Sequence, residues 1–302
     1  MKIFNFLPDH QLDDYTAATI GVFDGLHLGH CALIEKMEEI AREKKLKRAV
    51  LTFQDNPKKV TNPDTSKLSN YSLLDVNQKI KMLENRVDYL FLLDFNAVFQ
   101  LAADEFIRKI LIGILNVKHI ITGYDFRFGK DKLGKFENLN YFFNNEVTVV
   151  KPVEVEGEII STSLIKKYLM ENNFEKANKL LGYNFCFNGI VREGKRLGRK
   201  FGFPTANIAY PSGLPELSGI FASVIRINNI DYNAVSHIGA VPTFENSEKI
   251  IETYIFDFER DIYGLEIAIF PKLFIRPIIK FNSIDELKKQ IIIDVKNVKD
   301  LV

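Results

Sequence analysis

The sequence predicts two architectures in succession: an α/β half built on a parallel sheet, then an antiparallel β half with a terminal helix. Three observations lead there. The chain has 302 residues, and at roughly 100–200 residues per domain that suggests two domains. Up to Leu181, short β-branched apolar runs alternate with segments of helical periodicity. After Gly182, short strand-like runs follow one another across turn-rich links, the rhythm of a sandwich or barrel. The domain boundary is accordingly set near Gly182, dividing the chain into 1–182 and 183–302.

In the first half, Ala17–Val22 is apolar and runs into a Gly-rich turn. Leu28–Lys44 has Leu33, Ile34, Met37, Ile40 and Ala41 on one helical face. Arg48–Phe53 reads as a second strand. A helical stretch with Ile80 and Leu83 leads to a third, Val87–Leu93. Ala102–Leu115 is helical through Phe106, Ile110 and Ile114, and His119–Thr122 is a fourth strand before Gly123. This alternation predicts a parallel sheet covered on both faces, with ligands at the carboxyl ends of its strands. Gly21–His30 and Gly123–Gly129 both follow strand ends, so both are expected to line one crevice. Ser163–Met170 and Phe174–Leu181 are two short helices, and Gly182 suits a C-cap. In the second half, Phe185–Val191, Ile220–Ile227, Tyr232–Ile238, Ile251–Phe258 and Glu266–Ile275 are strand-like. The closing helix, Ile284–Asp300, is apolar along Leu287, Ile291 and Val295 or Val298.

Hydrophobic residues are 46% and charged residues 26%, which excludes a disordered chain, a collagen-like repeat and a small disulfide scaffold. Lys and Arg number 40 against 39 Asp and Glu. From Tyr183 onward there are 15 basic and 14 acidic residues, leaving 25 of each before it. With neither half cationic, nucleic acid and anionic membranes are not expected as partners. Small phosphorylated ligands need only a few local donors and remain open. Cys31 and Cys186 are too few for a disulfide framework or a structural zinc site and read as free thiols in a reducing compartment. The first residues do not resemble a signal peptide, and no apolar run approaches the roughly 18 residues that span a bilayer. The expected setting is the cytoplasm. The oligomeric state is not written in the sequence.

The strongest local signal of the first half is GVFDGLHLGH, Gly21–His30. It sets His27 and His30 three residues apart where a strand turns into a helix, so both lie on one side of the first turn. A helix start offers unpaired N–H groups and a positive dipole end, which suit phosphate. Gly25 and Gly29 permit close approach. Imidazole donors there can stabilise charge on a polyphosphate without a covalent step. In the second half, Gly189–Ile208 reads GIVREGKRLGRKFGFPTANI. Gly194, Gly198 and Gly202 give a backbone able to cradle phosphates, with Lys195, Arg196, Arg199 and Lys200 beside it. Beyond Pro204, Thr205 and Asn207 stand at i and i+2, on one face of an extended segment. They can present a hydroxyl and an amide oxygen to one Mg²⁺ ion, which prefers hard oxygen ligands and keeps several waters. A basic surface loop leading into a strand is the structural alternative.

These segments carry a resemblance. GVFDGLHLGH, with ITGYDFRFGK at Ile121–Lys130 and ISTSLIKKYL at Ile160–Leu169, resembles the nucleotidyltransferase half of the bacterial bifunctional riboflavin kinase and FAD synthetase family. GKRLGRKFGFPTAN, SGIFAS at Ser218–Ser223, IGAVPTF at Ile238–Phe244 and IETYIFDFERDIYG at Ile251–Gly264 resemble its riboflavin kinase half. The resemblance implies a Rossmann-like domain making FAD from ATP and FMN, and a Greek-key β-barrel making FMN from ATP and riboflavin. It implies Glu252 as general base, and His27 and His30 as stabilisers of the transferred phosphate. ATP contacts would come in the first half from Phe23, Asp24, Gly25, Gly29 and Asn56, and from Ser161, Thr162, Ser163 and Lys166. In the second half they would come from Gly194, Lys195, Gly198, Arg199 and Gly202, with Thr205 and Asn207 on Mg²⁺. Flavin contacts would come from Asp125, Phe128 and Arg276, with Tyr263 a further aromatic at a motif position.

The chain departs from the family pattern at several positions. Lys166 stands for an Arg, keeping charge but losing the bidentate fork. Asn56 stands for a His and Asp55 for a Pro. His237 occupies a position where Asn is common, and Arg276–Phe281 has Ile in place of a Glu. Two other readings follow: a riboflavin kinase whose first half binds nucleotide without reacting, and a non-catalytic flavin-binding regulatory protein.

Overall fold

A computed structural model of the chain describes residues 1–54, 56–57, 71–194, 198, 201–240 and 249–301. It divides into two compact units, Met1–Leu164 and Ile165–Val302. That division and the boundary expected near Gly182 bracket the two short helices between them.

The first unit holds a six-stranded sheet: β1 (Lys2–Phe4), β2 (Thr16–Ile20), β3 (Lys47–Phe53), β4 (Tyr89–Leu93), β5 (Val117–Gly123) and β6 (Val147–Val150). Every pairing is parallel, in the order β1-β4-β3-β2-β5-β6. The order reverses between β2 and β5, as at the switch point of a doubly wound sheet, where ligands bind. Parallel pairing with cover on both faces explains why β2 is buried at all five residues. Helix α1 (Leu28–Lys44) buries Ile34, Met37, Ile40 and Ala41, and each larger side chain contributes about 1.5–3 kcal/mol. A core cluster of the sheet gathers Ala18, Ile20, Leu51, Phe91 and Ile120 with Phe106, Ile107, Ile110 and Leu111. Helix α2 (Val76–Leu83) opens with a reciprocal capping box between Asp75 and Gln78.

The helix expected over Ala102–Leu115 differs in kind. After a turn at Ala103–Glu105, Phe106–Ile112 is a π-helix. Gly113 N–H donates to Arg108 O at 2.9 Å and Leu115 N–H to Ile110 O at 2.9 Å. The wider turn buries Phe106, Ile107, Ile110 and Leu111 together. A Cβ at Gly113 would meet Lys109 O at 2.8 Å, so only glycine closes it. The structure also contains β1, β6, helix α3 (Phe136–Phe143) and the hairpin β7 (Glu154–Val155) and β8 (Glu158–Ile159), whose short segments gave no periodic signal. Helices α4 (Thr162–Met170) and α5 (Phe174–Leu181) follow, α5 ending on Gly182 at φ 80°.

The second unit is antiparallel. Its strands are β9 (Phe187–Ile190), β10 (Thr205–Ala209), β11 (Gly219–Ile227), β12 (Ile230–Gly239), β13 (Ile250–Ile255) and β14 (Glu266–Arg276), in the order β10-β13-β12-β11-β14-β9. Within it β14-β11-β12-β13 is a Greek key, three consecutive strands with the fourth returned beside the first. The strand expected to run to Phe258 ends at Ile255: Phe256 N–H still donates to Asn233 O of β12 at 2.9 Å, and Asp257 then turns the chain with φ of 52°. The end strands approach one another. Arg192 bridges Asn207 through Arg192 N–H to Asn207 O at 2.8 Å, and a Cβ at Gly189 would meet Ile208 Cβ at 2.9 Å. This draws the sheet into a near-closed barrel, which protects its edges. Alternation gives it two faces. Ala206, Ile208, Ile251, Thr253 and Ile255 are buried along β10 and β13. On the other face, Ile220, Ala222, Val235 and Tyr254 pack against Val295, Val298 and Ile291 of helix α6 (Ile284–Lys299).

Arg276, at the end of β14, donates from Nε and Nη2 to Asp294 of α6 at 2.9 and 2.6 Å. Removing one member of a buried pair strands the other charge. Asp294→Ala should therefore lower the unfolding free energy of this unit by about 3 kcal/mol in a urea titration.

Candidate active sites

The first site begins where β2 ends. Between Gly21 and the helix, Phe23 and Leu26 have φ of 47° and 38°, and Gly25 has φ of 85°. Positive φ at two large residues costs about 1–3 kcal/mol each and persists only where the surroundings impose it. They do: Phe23 and Leu26 are both buried, Asp24 Oδ1 accepts from Leu73 N–H at 2.5 Å, and Thr162 Oγ1 donates to Asp24 O at 3.3 Å. His27 is the N-cap of α1, its Nδ1 accepting from His30 N–H at 3.3 Å. An accepting Nδ1 leaves the neutral ring's proton on Nε2, the nitrogen free to donate. The rings of His27 and His30 stack at 3.7 Å, with Phe23 edge-on to His30 at 5.2 Å. A Cβ at Gly29 would stand 3.2 Å from the His27 ring, so glycine lets that ring lie against the helix start.

Burial pushes the His27 pKa down to about 4, against the pull of Asp24, and holds His30 well below its ordinary value, with His27 and Lys79 adding to the effect. The two imidazoles are therefore neutral at pH 7, each offering one N–H. The Gly123 end of β5 lies beside this loop in the sheet, since β2 and β5 pair up to Thr19 and Ile121. The two expected crevice segments are thus neighbours, and Asp125 is exposed there.

Other expected residues fall into two groups. Ser161 Oγ accepts from Leu164 N–H at 3.2 Å and caps α4, while Thr162 reaches the Asp24 carbonyl. Ser163 is exposed in the first turn of α4, and Lys166, one turn on, is buried. Asn56, expected to face phosphate, donates from Nδ2 to Tyr71 O at 3.1 Å. Phe128, expected at the flavin, is buried in the core beside Phe106 and Phe126 at ring separations of 5.7 and 5.5 Å. Its glycine neighbour explains the turn: Gly129 has φ of 69°, and a Cβ there would meet Ala103 N at 2.9 Å.

Lys79 is a residue that the motifs do not mark. Its ammonium, buried on α2, donates to Val22 O at 2.9 Å, Thr52 Oγ1 at 3.3 Å and Phe53 O at 3.3 Å. Its three protons thus tie the ends of β2 and β3 together beneath the loop of Asp24 and the histidines. Burial pushes its pKa down to about 8, opposed by Asp24. The signal in the sequence was a lysine four residues before buried Leu83, which on helical spacing faces inward.

In the second unit, register assembles the site. Asn207, Glu252, His237, Ile220 and Arg276 stand directly opposite one another across β10, β13, β12, β11 and β14. Residues paired in this way share a face, here the face against which α6 packs. Thr205 and Asn207 do lie on one face, and Asn207 Nδ2 donates to Thr205 Oγ1 at 3.3 Å and to Thr205 O at 3.1 Å. Asn207 Oδ1 is buried without a hydrogen-bond partner. A Cβ at Gly194 would stand 2.7 Å from the Asn207 amide carbon, so a bare backbone packs over it. An unmet amide oxygen beside a hydroxyl fits a hard divalent cation.

A cleft of about 280 Å³ opens alongside, lined by Pro204, Thr205, Phe258, Arg260, Asp261 and Tyr263 among others. Gly198 accepts from Phe203 N–H at 2.8 Å and Gly202 has φ of 86°. Lys195, Arg196, Arg199 and Lys200 lie outside the described residues. Arg276, expected at the flavin, is held by Asp294. Cys31 and Cys186 are not joined in a disulfide and are both half-buried. Among the described residues, no helix is long and apolar enough to cross a membrane.

The comparisons agree with this division. A family model described as FAD synthetase matches residues 9–164, and one described as riboflavin kinase matches residues 181–302. A protein of Listeria monocytogenes is 35% identical over 289 residues, 94% of this chain and 91% of its own. One of Bacillus subtilis is 35% identical over 295 residues, 94% and 92% respectively. One of Buchnera aphidicola from Schizaphis graminum is 34% identical over 298 residues, 96% and 95%. All three are named bifunctional riboflavin kinase/FMN adenylyltransferase. A crystal structure titled as a macrolide-efflux protein from Streptococcus pneumoniae superposes with a TM-score of 0.83 at 32% identity, covering 96% of each chain. Fold and sites together define a Rossmann-like nucleotidyltransferase unit followed by a riboflavin-kinase barrel. The chain belongs to the bifunctional riboflavin kinase/FMN adenylyltransferase family.

Two predictions follow from the geometry. Lys79→Met leaves Phe53 O without the ammonium donor and Val22 O with only Thr52 Oγ1, and should cost about 2–3 kcal/mol in denaturant unfolding of the first unit. His27 and His237 both have pKa values lowered to about 4 from an ordinary 6.5. Unfolding therefore takes up protons between those values, and stability falls as pH drops through that window. Calorimetric melting temperatures should decline from pH 7 to pH 4.5, and less steeply when both histidines are replaced by Gln.

Proposed function

We propose that the barrel unit phosphorylates riboflavin to FMN, and that the first unit adenylylates FMN to FAD with release of pyrophosphate. Functionally, the division falls between 1–182 and 183–302. What carries the reading is the register of β10 and β13, which sets Thr205 and Asn207 beside Glu252 on one face of a riboflavin-kinase barrel. In the first reaction the Glu252 carboxylate takes the proton of the ribityl 5′-hydroxyl as that oxygen attacks the γ-phosphorus of ATP. A new O–P bond forms, and the bond to the ADP oxygen breaks. Thr205 and Asn207 hold Mg²⁺, which when bound neutralises charge on the ATP phosphates. Gly194, Gly198 and Gly202, with Lys195 and Arg199, contact those phosphates through backbone and cation.

In the second reaction an FMN phosphate oxygen attacks the α-phosphorus of ATP and pyrophosphate leaves. His27 Nε2–H and the His30 ring donate to the oxygens that gain charge, and α1 directs its N-terminal dipole at them. A polyanion arriving there raises both imidazole pKa values, since an opposite charge favours the protonated form. Thr162 and the cap Ser161 hold the start of α4 toward the same loop, with Ser163 and Lys166 completing the polar helix start. The substrates are small and soluble, so the reading needs neither nucleic acid nor membrane and fits a reducing cytoplasm.

Chromatography of the flavins formed from riboflavin, ATP and Mg²⁺ tests the whole reading. FMN and FAD are the expected products. FMN alone would assign a kinase only, and neither product a flavin-binding regulator. Glu252→Ala should lower FMN formation by about 10²–10⁴-fold and spare FAD formation from supplied FMN. His30→Ala should do the reverse, with a loss of about 10²–10³-fold.

A further inference from the structure

His237 lies in the barrel unit, next to Glu252 in the transverse row, and the reaction just described makes no use of it. The two residues are direct cross-strand partners on β12 and β13, and Asn207 is the partner of Glu252 on its other side. Opposite side chains in such a row have Cβ atoms about 4.5–5.5 Å apart. The row therefore reads metal side, base, imidazole. His237 Nδ1 is buried and has no hydrogen-bond partner. A buried ring nitrogen left unmet is costly unless a ligand meets it. The neighbours of His237 beyond Glu252 are Ile220 and then Arg276, whose guanidinium is already committed to Asp294.

From this arrangement we infer that His237 is a substrate-binding residue for the phosphoryl acceptor, hydrogen-bonding an internal hydroxyl of the polyol chain while Glu252 receives the proton of the terminal one. The inference rests on the reading of Glu252 as the base. Two hydroxyls a few carbons apart along an extended chain are separated by about the spacing of two cross-strand neighbours. ATP then approaches from the Asn207 side and the flavin chain from the β12 side, so the reacting oxygen is brought between base and γ-phosphate. The state of the imidazole suits this task. Burial, with Arg276 nearby, pushes its pKa down to about 4. A neutral ring can donate to or accept from a hydroxyl without forming an ion pair with Glu252, which would weaken the carboxylate as a base. Asn, the residue common at this position in the resembled pattern, likewise offers one donor group and one acceptor.

The test compares riboflavin with a flavin carrying an ω-hydroxypentyl chain, which keeps the reacting hydroxyl and lacks the internal ones. The wild-type protein should prefer riboflavin. His237→Phe, which keeps a ring and removes both nitrogens, should raise the KM for riboflavin about ten-fold. It should leave kcat and the KM for ATP within about two-fold and leave the analogue unaffected, so that the preference disappears. His237→Asn should retain the preference within about three-fold, and His237→Ala supplies the same comparison if the phenyl ring is not accommodated. An equal loss on both acceptors, a fall in kcat without a rise in KM, or no change would overturn the inference. Glu252→Gln separates this from the underlying reading: FMN formation that survives that substitution sinks the base assignment itself.

Discussion

A β-strand leaves polar backbone groups unpaired where it ends, and both units put their candidate chemistry where that demand is met. In the first unit the chain leaves β2 and β3 at the carbonyls of Val22 and Phe53, the first also accepting from Thr52 Oγ1 at 3.0 Å. The buried ammonium of Lys79 takes them, and the same contact fixes the start of the loop that carries Asp24, Gly25 and His27. His27 meets the corresponding demand at the helix start through Nδ1, which leaves the proton of the neutral ring on Nε2. In the second unit the end strands of the sheet meet at Arg192 and Asn207. The residue that closes the barrel through its backbone therefore also carries the unmet amide oxygen.

Electrostatics divide the two sites differently. The first is prepared by burying bases. His27 and His30 are neutral when the site is empty, so charge accumulates only as a polyanion enters, and the buried ammonium of Lys79 lies beneath them. The second relies on face and register. Glu252 stands between a metal-fitting pair and an imidazole held neutral by burial, while Arg276, further along the row, is occupied by Asp294. Neutralising Arg276 inside the unit keeps it from competing for the carboxylate of the base.

Much of the first half was legible because parallel strands buried on both faces must be apolar throughout, as in TAATI of β2, and α1 shows its buried face at helical spacing. The loop after β2 was legible as a site because glycines and paired histidines rarely coincide by packing alone. The π-helix at Phe106–Ile112 was not legible, since its burial of adjacent pairs departs from the 3.6-residue period only slightly. Phe128 illustrates another limit. A motif position says where the backbone goes, whereas burial decides what the side chain packs against.

By itself, the sequence determined the two rhythms, the order of the motifs and the pairing of Thr205 with Asn207, because these depend on residues close together in the chain and on the two-residue period of a strand. Tertiary structure alone decided that Lys79 reaches three acceptors from two strand ends, that Arg276 is taken by Asp294, and that Glu252 stands between Asn207 and His237. Those contacts join residues from separate strands and helices. Register and burial, which bring them together, are properties of the folded sheet that no local window contains.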